Sequence, residues 1–113
     1  MTNEEYIKRY GISKEEYFKI NFNEVGTLTA KCKSNECQWP IQEDYPELEI
    51  GKTYDVSHIG VFRSYPQIIL SDFDDKQYSS ACFDLFENGE PLDRRFADDQ
   101  RFWAPYLREK FGM

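Results

Sequence analysis

The chain has 113 residues, of which 40% are hydrophobic and 17% aromatic, so it can form one folded domain and is not a disordered chain. Its 14 basic and 21 acidic residues give a net charge of −7, which disfavours binding to a phosphate backbone. Because no apolar run is long enough for a membrane helix and the N-terminal residues are acidic, we expect no membrane span, no secretory signal and a cytoplasmic protein.

Residues 1–22 predict a helical N-terminal segment made of two short helices. Thr2 and Ser13 are each followed three positions later by a glutamate, which is the capping-box pattern of a helix start. Gly11 separates the two helices. Because each helix is too short to be stable alone, both are expected to pack against the rest of the domain.

Residues 25–87 alternate apolar and polar side chains with a period of two, which predicts antiparallel strands. The runs with this pattern are residues 25–32, 53–62, 67–73 and 77–86. Turns are expected at Ser64–Pro66 and Asp74–Lys76, and Asn88–Pro91 is expected to end the sheet. A change of phase near Ser57–Gly60 predicts a bulge, and the resulting curvature is typical of a small β-barrel.

Residues 94–113 return to a helical pattern. Asp98 or Asp99 is expected to cap this segment, and Pro105 is expected to divide it into two short turns. Its apolar stripe consists of Phe102, Trp103, Tyr106, Leu107 and Phe111. The sequence thus predicts a single α+β domain, mainly β, with a barrel between two helical segments.

About half of the chain, residues 28–87, resembles small SH3-like β-barrel proteins of phages and bacterial mobile regions. The resemblance is carried by Leu48-x-Ile50-Gly51-Lys52-x-Tyr54-x-Val56, by Ile68-x-Leu70-x-Asp72, and by Tyr78 leading to Cys82-Phe83. It implies an SH3-like antiparallel barrel and a binding role, since such domains are usually binding modules. The loop of residues 33–48 is longer than in the compact members.

The acidic residues are concentrated in the middle of the chain, since residues 36–93 hold three basic and thirteen acidic residues. Such a face suits a basic protein partner, for example a nuclease or a defence protein. The hypothesis is therefore an inhibitor, either a toxin immunity protein or a phage-encoded anti-defence protein, and not a nucleic-acid binder. The expected contact residues are Glu43, Asp44, Asp72, Asp74, Asp75, Asp84, Glu87 and Glu90, with Trp39 and Tyr45 as aromatic anchors.

Catalytic and metal chemistry have little support in the sequence, and we expect neither an enzyme nor a bound cofactor. His58 is the one histidine, and Cys32, Cys37 and Cys82 include a single close pair. A structural zinc site would need all four side chains to converge, so ordinary thiols are expected instead. The paired carboxylates lie where turns and helix caps explain them.

Two alternative functions remain open at the sequence level. One is an oligomeric accessory or structural protein that self-associates through the aromatic C-terminal stripe. The other is a small-ligand sponge that holds a nucleotide or metabolite in a closed pocket. In that case Arg63, Arg94 or Arg95 would lie inside the pocket.

Overall fold

The computed structural model describes residues 2–35, 45–62, 65–92 and 99–110, with the side chains of Tyr65, Asp74 and Asp75 left out. The described helices are α1 (Asn3–Tyr10), α2 (Lys14–Asn21) and α3 (Pro105–Lys110). The strands are β1 (Asn23–Glu24), β2 (Leu28–Cys32), β3 (Thr53–Phe62), β4 (Tyr65–Leu70), β5 (Phe73–Ser79), β6 (Phe83–Glu87) and β7 (Glu90–Pro91). Short 3₁₀ turns occur at Ser80–Cys82 and Gln100–Phe102. The predicted class, α+β and mainly β, is confirmed.

All the strands belong to one seven-stranded antiparallel sheet. The strand order is β5-β4-β3-β2-β6-β7, and β1 also pairs with β3. In the part of the chain that the structure describes, β5 and β7 are the two ends of this order and do not pair with each other. The sheet is therefore not closed. The antiparallel strands of the barrel prediction are confirmed, but the closure of the barrel is not.

Strand β3 spans the predicted residues Thr53–Phe62 and is the centre of the sheet. Its register against β4 shifts between Val56 and His58, which confirms the bulge expected from the change of apolar phase. Tyr54 and Val56 before the shift, and Ile59 and Val61 after it, are all buried in the same core. The bulge lets both halves of the strand direct apolar side chains to one side.

Several predicted boundaries are wrong. Asp74–Lys76 is part of β5 and not a turn, because the chain already reverses at Ser71–Asp72. The run at residues 77–86 is divided by the 3₁₀ turn Ser80–Cys82 into β5 and β6. The strand predicted at residues 25–32 is β2 and begins at Leu28, and the segment Asn88–Pro91, predicted to end the sheet, contains β7.

The hairpin between β6 and β7 has a local cause. Asn88 and Gly89 both have positive φ, 52° and 83°, and they join the paired residues Glu87 and Glu90. A two-residue loop with two positive φ angles is the tight turn that matches the twist of antiparallel strands. This turn adds a short strand where the sequence predicts the end of the sheet.

Helices α1 and α2 begin as predicted. The Thr2 hydroxyl accepts a hydrogen bond from the amide of Glu5, and the Ser13 hydroxyl accepts one from the amide of Glu16. Gly11 ends α1 with a φ of 77°. Among the described residues, no helix has the length and apolar character needed to cross a membrane.

The helices cover one side of the sheet, and a larger apolar core lies on the other side. Tyr6, Phe18 and Phe22 of the N-terminal segment pack with Ile69 of β4 in a small aromatic cluster. The larger core contains buried side chains from β2, β3, β4, β5 and β6. The bulged sheet thus packs apolar side chains on both of its sides.

The C-terminal segment also divides as predicted. Asp99 caps the 3₁₀ turn Gln100–Phe102, and α3 begins at Pro105, where a missing amide hydrogen costs nothing. Phe102 and Leu107 are buried, whereas Tyr106 is 40% exposed. These two side chains pack inside the chain and are therefore not available for contact with a second copy.

Candidate functional site

The expected contact residues on the 33–48 loop have different outcomes. Trp39, Glu43 and Asp44 lie outside the described residues. Tyr45 is described and is only 1% exposed, so its assignment as an aromatic anchor for a partner is wrong. Its ring packs edge-to-face against Tyr78 with 4.8 Å between centroids, and its hydroxyl accepts a hydrogen bond from the amide of Ser79 at 3.4 Å.

The segment after this loop is held by hydrogen bonds among Glu47, Lys76 and Tyr78. Glu47 Oε1 lies 2.7 Å from both Lys76 Nζ and the Tyr78 hydroxyl, which donate hydrogen bonds to it. Burial tends to raise the pKa of Glu47, but these two hydrogen bonds outweigh that effect and lower its pKa. The cluster fixes the chain around residue 47 to β5.

Around the β4–β5 turn, the structure brings together one predicted acidic residue and one that the sequence analysis missed. Asp72 is exposed in the turn, and the amide of Ser71 donates a hydrogen bond of 2.9 Å to the carbonyl of Asp55 on β3. Asp55 is itself exposed. It stands between the buried Tyr54 and Val56, so strand alternation alone could have found it.

Asp74 and Asp75 follow this turn directly. Both belong to β5, the strand at one end of the sheet order, and their side chains are outside the description. The backbone at these two positions is therefore edge-strand backbone and not loop backbone.

The other expected acidic residues lie on β6 and β7. Asp84 is exposed, its cross-strand partner on β2 is Lys31, and its Oδ1 lies 3.5 Å from Lys33 Nζ. Glu90 is exposed on β7. Since β2 and β3 lie between β6 and β4, Asp84 and Asp72 are on separate parts of the molecule.

Glu87 is engaged within the chain. Its carboxylate lies 3.4 Å from Arg101, whose guanidinium also binds Asp99 at 2.8 Å. Hydrogen bonds from Arg101 lower the pKa of Asp99, and these carboxylates raise the pKa of Arg101 further above its usual value. A partner that bound Glu87 would compete with this ion-pair cluster.

The thiols and the histidine lie in different parts of the fold. Cys32 and Cys82 are buried in the larger core, and burial raises the pKa of the Cys32 thiol. The His58 ring packs against Phe18 on the helical side, with 5.4 Å between centroids, and its Nδ1 is 2.9 Å from the Ser57 hydroxyl. Cys37 is outside the description. Nowhere in the described ranges do three His, Cys, Asp or Glu side chains come together as a metal-binding group.

Two surface depressions of about 500 Å³ lie near the helices. One is lined by Glu15, Phe18, Lys19, Phe22, Asn23, Glu24 and His58, and the other by Gln100, Arg101, Pro105, Arg108 and Glu109. Arg63, Arg94 and Arg95, which the small-ligand alternative requires, lie outside the described residues. The exposed carboxylates therefore remain the candidate contact residues.

Comparison of the chain with protein-family models, with curated proteins and with solved structures finds no match.

Proposed function

We propose that this protein is a binding protein, not an enzyme, that inhibits a basic partner protein. A toxin immunity protein and a phage-encoded anti-defence protein are the concrete forms of this proposal, with a nuclease or a defence protein as the partner. The observation that carries it is the set of exposed carboxylates on the sheet and its turns. These residues are Asp55, Asp72, Asp84 and Glu90.

Charge density supports a basic partner over a neutral one. Residues 36–93 contain thirteen acidic and three basic residues, and one of these basic residues, Lys76, is already bound to Glu47. A surface of one sign attracts a partner of the opposite sign and raises its association rate, by about tenfold to a thousandfold at low salt. The substrate channel of a nuclease is basic because it binds phosphates, so such a face can compete there.

The carboxylates near the β4–β5 turn fit this proposal better than those on β6 and β7. Asp55 and Asp72 are exposed, and the amide of Ser71, next to Asp72, donates a hydrogen bond to the carbonyl of Asp55. By contrast, Asp84 is near Lys33 and Glu87 is bound to Arg101. We therefore place the main contact at the β4–β5 turn. The resemblance of residues 28–87 to small SH3-like β-barrel proteins also supports a binding role, although the described sheet is not closed.

A kinetic binding assay tests the proposal. The partner is first isolated by pull-down from the native host, and its association rate is then measured at about 50 and 300 mM salt. We expect the double reversal Asp55→Lys with Asp72→Lys to slow association about tenfold at low salt and much less at high salt, because salt screens exposed charges. Inhibition requires, in addition, that the partner loses its own activity when the protein is present in equimolar amount.

The matched control is Glu24→Lys with Glu109→Lys, which changes the net charge equally at two exposed positions on β1 and α3. We expect this control to change the association rate by less than about threefold. Equal association rates for the two double variants would contradict an acidic contact at the β4–β5 turn. A partner that binds without losing activity would contradict the inhibitor.

A further inference from the structure

Helix α1 has an inner face that packs on the domain and an outer face that is exposed to solvent. On the inner face, Tyr6 is fully buried, and its ring lies edge-to-face against Phe18 of α2 with 5.7 Å between centroids. On the outer face, Ile7 is 49% exposed and Tyr10 is 38% exposed, although both side chains are large and apolar. Since residues three apart in a helix are neighbours on its surface, Ile7 and Tyr10 form one exposed apolar patch.

The Tyr10 ring has a defined position in this patch. It stacks on the Tyr17 ring of α2 with 4.3 Å between centroids, and the guanidinium of Arg9 lies over it at 5.5 Å. A side chain whose conformation is already fixed loses little entropy when it is covered, and tyrosine is frequent at the centres of protein interfaces. The patch is therefore suited to contact with another protein surface.

The charges on α1 indicate which surface it fits. Glu4 and Glu5 lie in the first turn and Lys8 and Arg9 in the last turn, so the helix is acidic at its start and basic at its end. Glu4 and Lys8 are both exposed, and the helical spacing puts them on the same side of Ile7. This order of charges is complementary to a second copy of the helix that runs in the opposite direction. Glu4 of each copy then lies near Lys8 of the other copy.

We propose that the outer face of α1 is an interface at which two copies of this chain pair through antiparallel α1 helices. A two-fold axis passes close to Ile7, so that the apolar patches meet at the centre and two Glu4–Lys8 ion pairs form beside them. An eight-residue helix is about 12 Å long, so this contact is at the small end of protein interfaces and the dimer forms at high protein concentration. The inference does not rest on the proposed function, whose contact residues lie near the β4–β5 turn.

The alternative explanation is that these apolar side chains are exposed without any partner. Single exposed apolar residues are common on protein surfaces, and two others are described here. Ile20 on α2 is 43% exposed and Tyr106 on α3 is 40% exposed. Exposure without a partner predicts a monomer at every concentration, whereas pairing through α1 predicts a dimer that depends on Ile7 and not on Ile20.

Sedimentation equilibrium of the full chain between about 5 µM and 1 mM tests the proposal, and we expect a reversible change from monomer to dimer in this range. Ile7→Ala should weaken dimerisation about tenfold, because it removes apolar area from both copies at the axis. Ile20→Ala is the matched control with similar exposure, and it should change dimerisation by less than about threefold. Both variants should fold, since alanine is the better helix former at an exposed helical position.

Charge reversals test whether the two helices contact each other directly. At low salt, Glu4→Lys and Lys8→Glu should each weaken self-association about tenfold, because like charges then meet twice across the two-fold axis. An equimolar mixture of the two single variants should form a heterodimer with an affinity within about threefold of the unsubstituted dimer, since every lysine then faces a glutamate. This recovery requires that positions 4 and 8 of different copies are neighbours.

Each of four outcomes would contradict the proposal. The first is a monomer at all concentrations, and the second is a dimer that Ile7→Ala weakens no more than Ile20→Ala does. The third is a dimer that is lost in Tyr106→Ala but kept in Ile7→Ala, which would place self-association on α3. The fourth is a mixture of the two charge reversals that associates no more strongly than either variant alone. Ile7→Ala keeps the test decisive if a reversal variant does not fold.

Discussion

At the scale of single residues, Glu47 shows how one carboxylate stabilises a long connection. Its side chain accepts hydrogen bonds from Lys76 and Tyr78, both at 2.7 Å, and so joins the segment after the 33–48 loop to the edge strand. Its pKa is lowered in the folded chain, so its contribution to stability is present above its unfolded pKa and is lost as the pH falls through the folded value.

We expect Glu47→Gln to lower the free energy of unfolding by about 1–2 kcal/mol at pH 7, because a hydrogen bond to a charged group is replaced by a neutral one. The difference from the unsubstituted chain should shrink below about pH 4, where the glutamate itself becomes protonated. Urea unfolding at pH 7 and at pH 3.5 measures both quantities. The control is Glu49→Gln, at an exposed position two residues later, which should change stability by less than about 0.5 kcal/mol. A difference that stays constant with pH would contradict the ionic role of Glu47.

At the scale of elements, the contact of α2 with β3 depends on Gly60, which has no side chain. A Cβ at Gly60 would overlap the carbonyl oxygen of Asn21 and the ring of Phe22, both at the end of α2. The glycine therefore permits the close approach by which the aromatic cluster of Phe18, Phe22 and Ile69 forms.

We expect Gly60→Ala to reduce the free energy of unfolding by about 1–3 kcal/mol, because the helix end must move away from the sheet. Gly26→Ala is the matched control, since nothing lies within 4 Å of a Cβ at that position. Chemical denaturation compares the two, and near-ultraviolet circular dichroism reports whether the aromatic cluster is disturbed. Equal stabilities would mean that α2 is not held against β3 in solution.

At the scale of the whole molecule, Asn23 connects three parts of the chain that are distant in sequence. Its Nδ2 donates to the carbonyl of Trp103 at 2.7 Å and to that of Ile59 at 3.5 Å, and its Oδ1 accepts a hydrogen bond from Arg108. The Nε atom of Arg108 is buried and has no hydrogen-bond partner among the described residues, whereas its Nη2 atom donates to Asn23. Asn23 therefore attaches the C-terminal segment to the sheet, together with the hydrogen bond from the amide of Ala104 to the carbonyl of Val61.

We expect Asn23→Leu to destabilise the chain by about 2–3 kcal/mol, because it leaves buried backbone carbonyls and the Arg108 guanidinium without partners. Hydrogen exchange should accelerate in α3 more than in β3, since the sheet keeps its other contacts. Mass spectrometry of exchange in proteolytic fragments measures this. Glu24→Gln, at the exposed neighbouring position, should leave both regions unchanged, and a uniform acceleration in α3 and β3 would contradict a local attachment.

The features that the sequence determined are those with local causes. The starts of α1 and α2 follow from hydroxyl caps at Thr2 and Ser13, and the bounds and bulge of β3 follow from the alternation of its own side chains. Asp72 is exposed in the β4–β5 turn, although this turn begins three residues earlier than predicted. In these cases a few neighbouring residues contain the whole physical reason.

The tertiary structure alone decided the features that depend on distant partners. Composition marks Tyr45 as a candidate anchor, but its burial is set by Tyr78 and Ser79, more than thirty residues later. Glu87 is bound by Arg101, and Asp74 and Asp75 become edge-strand residues because β5 lies at one end of the sheet order. Whether a sheet closes depends on the positions of its two end strands, and no local pattern in either strand specifies that distance.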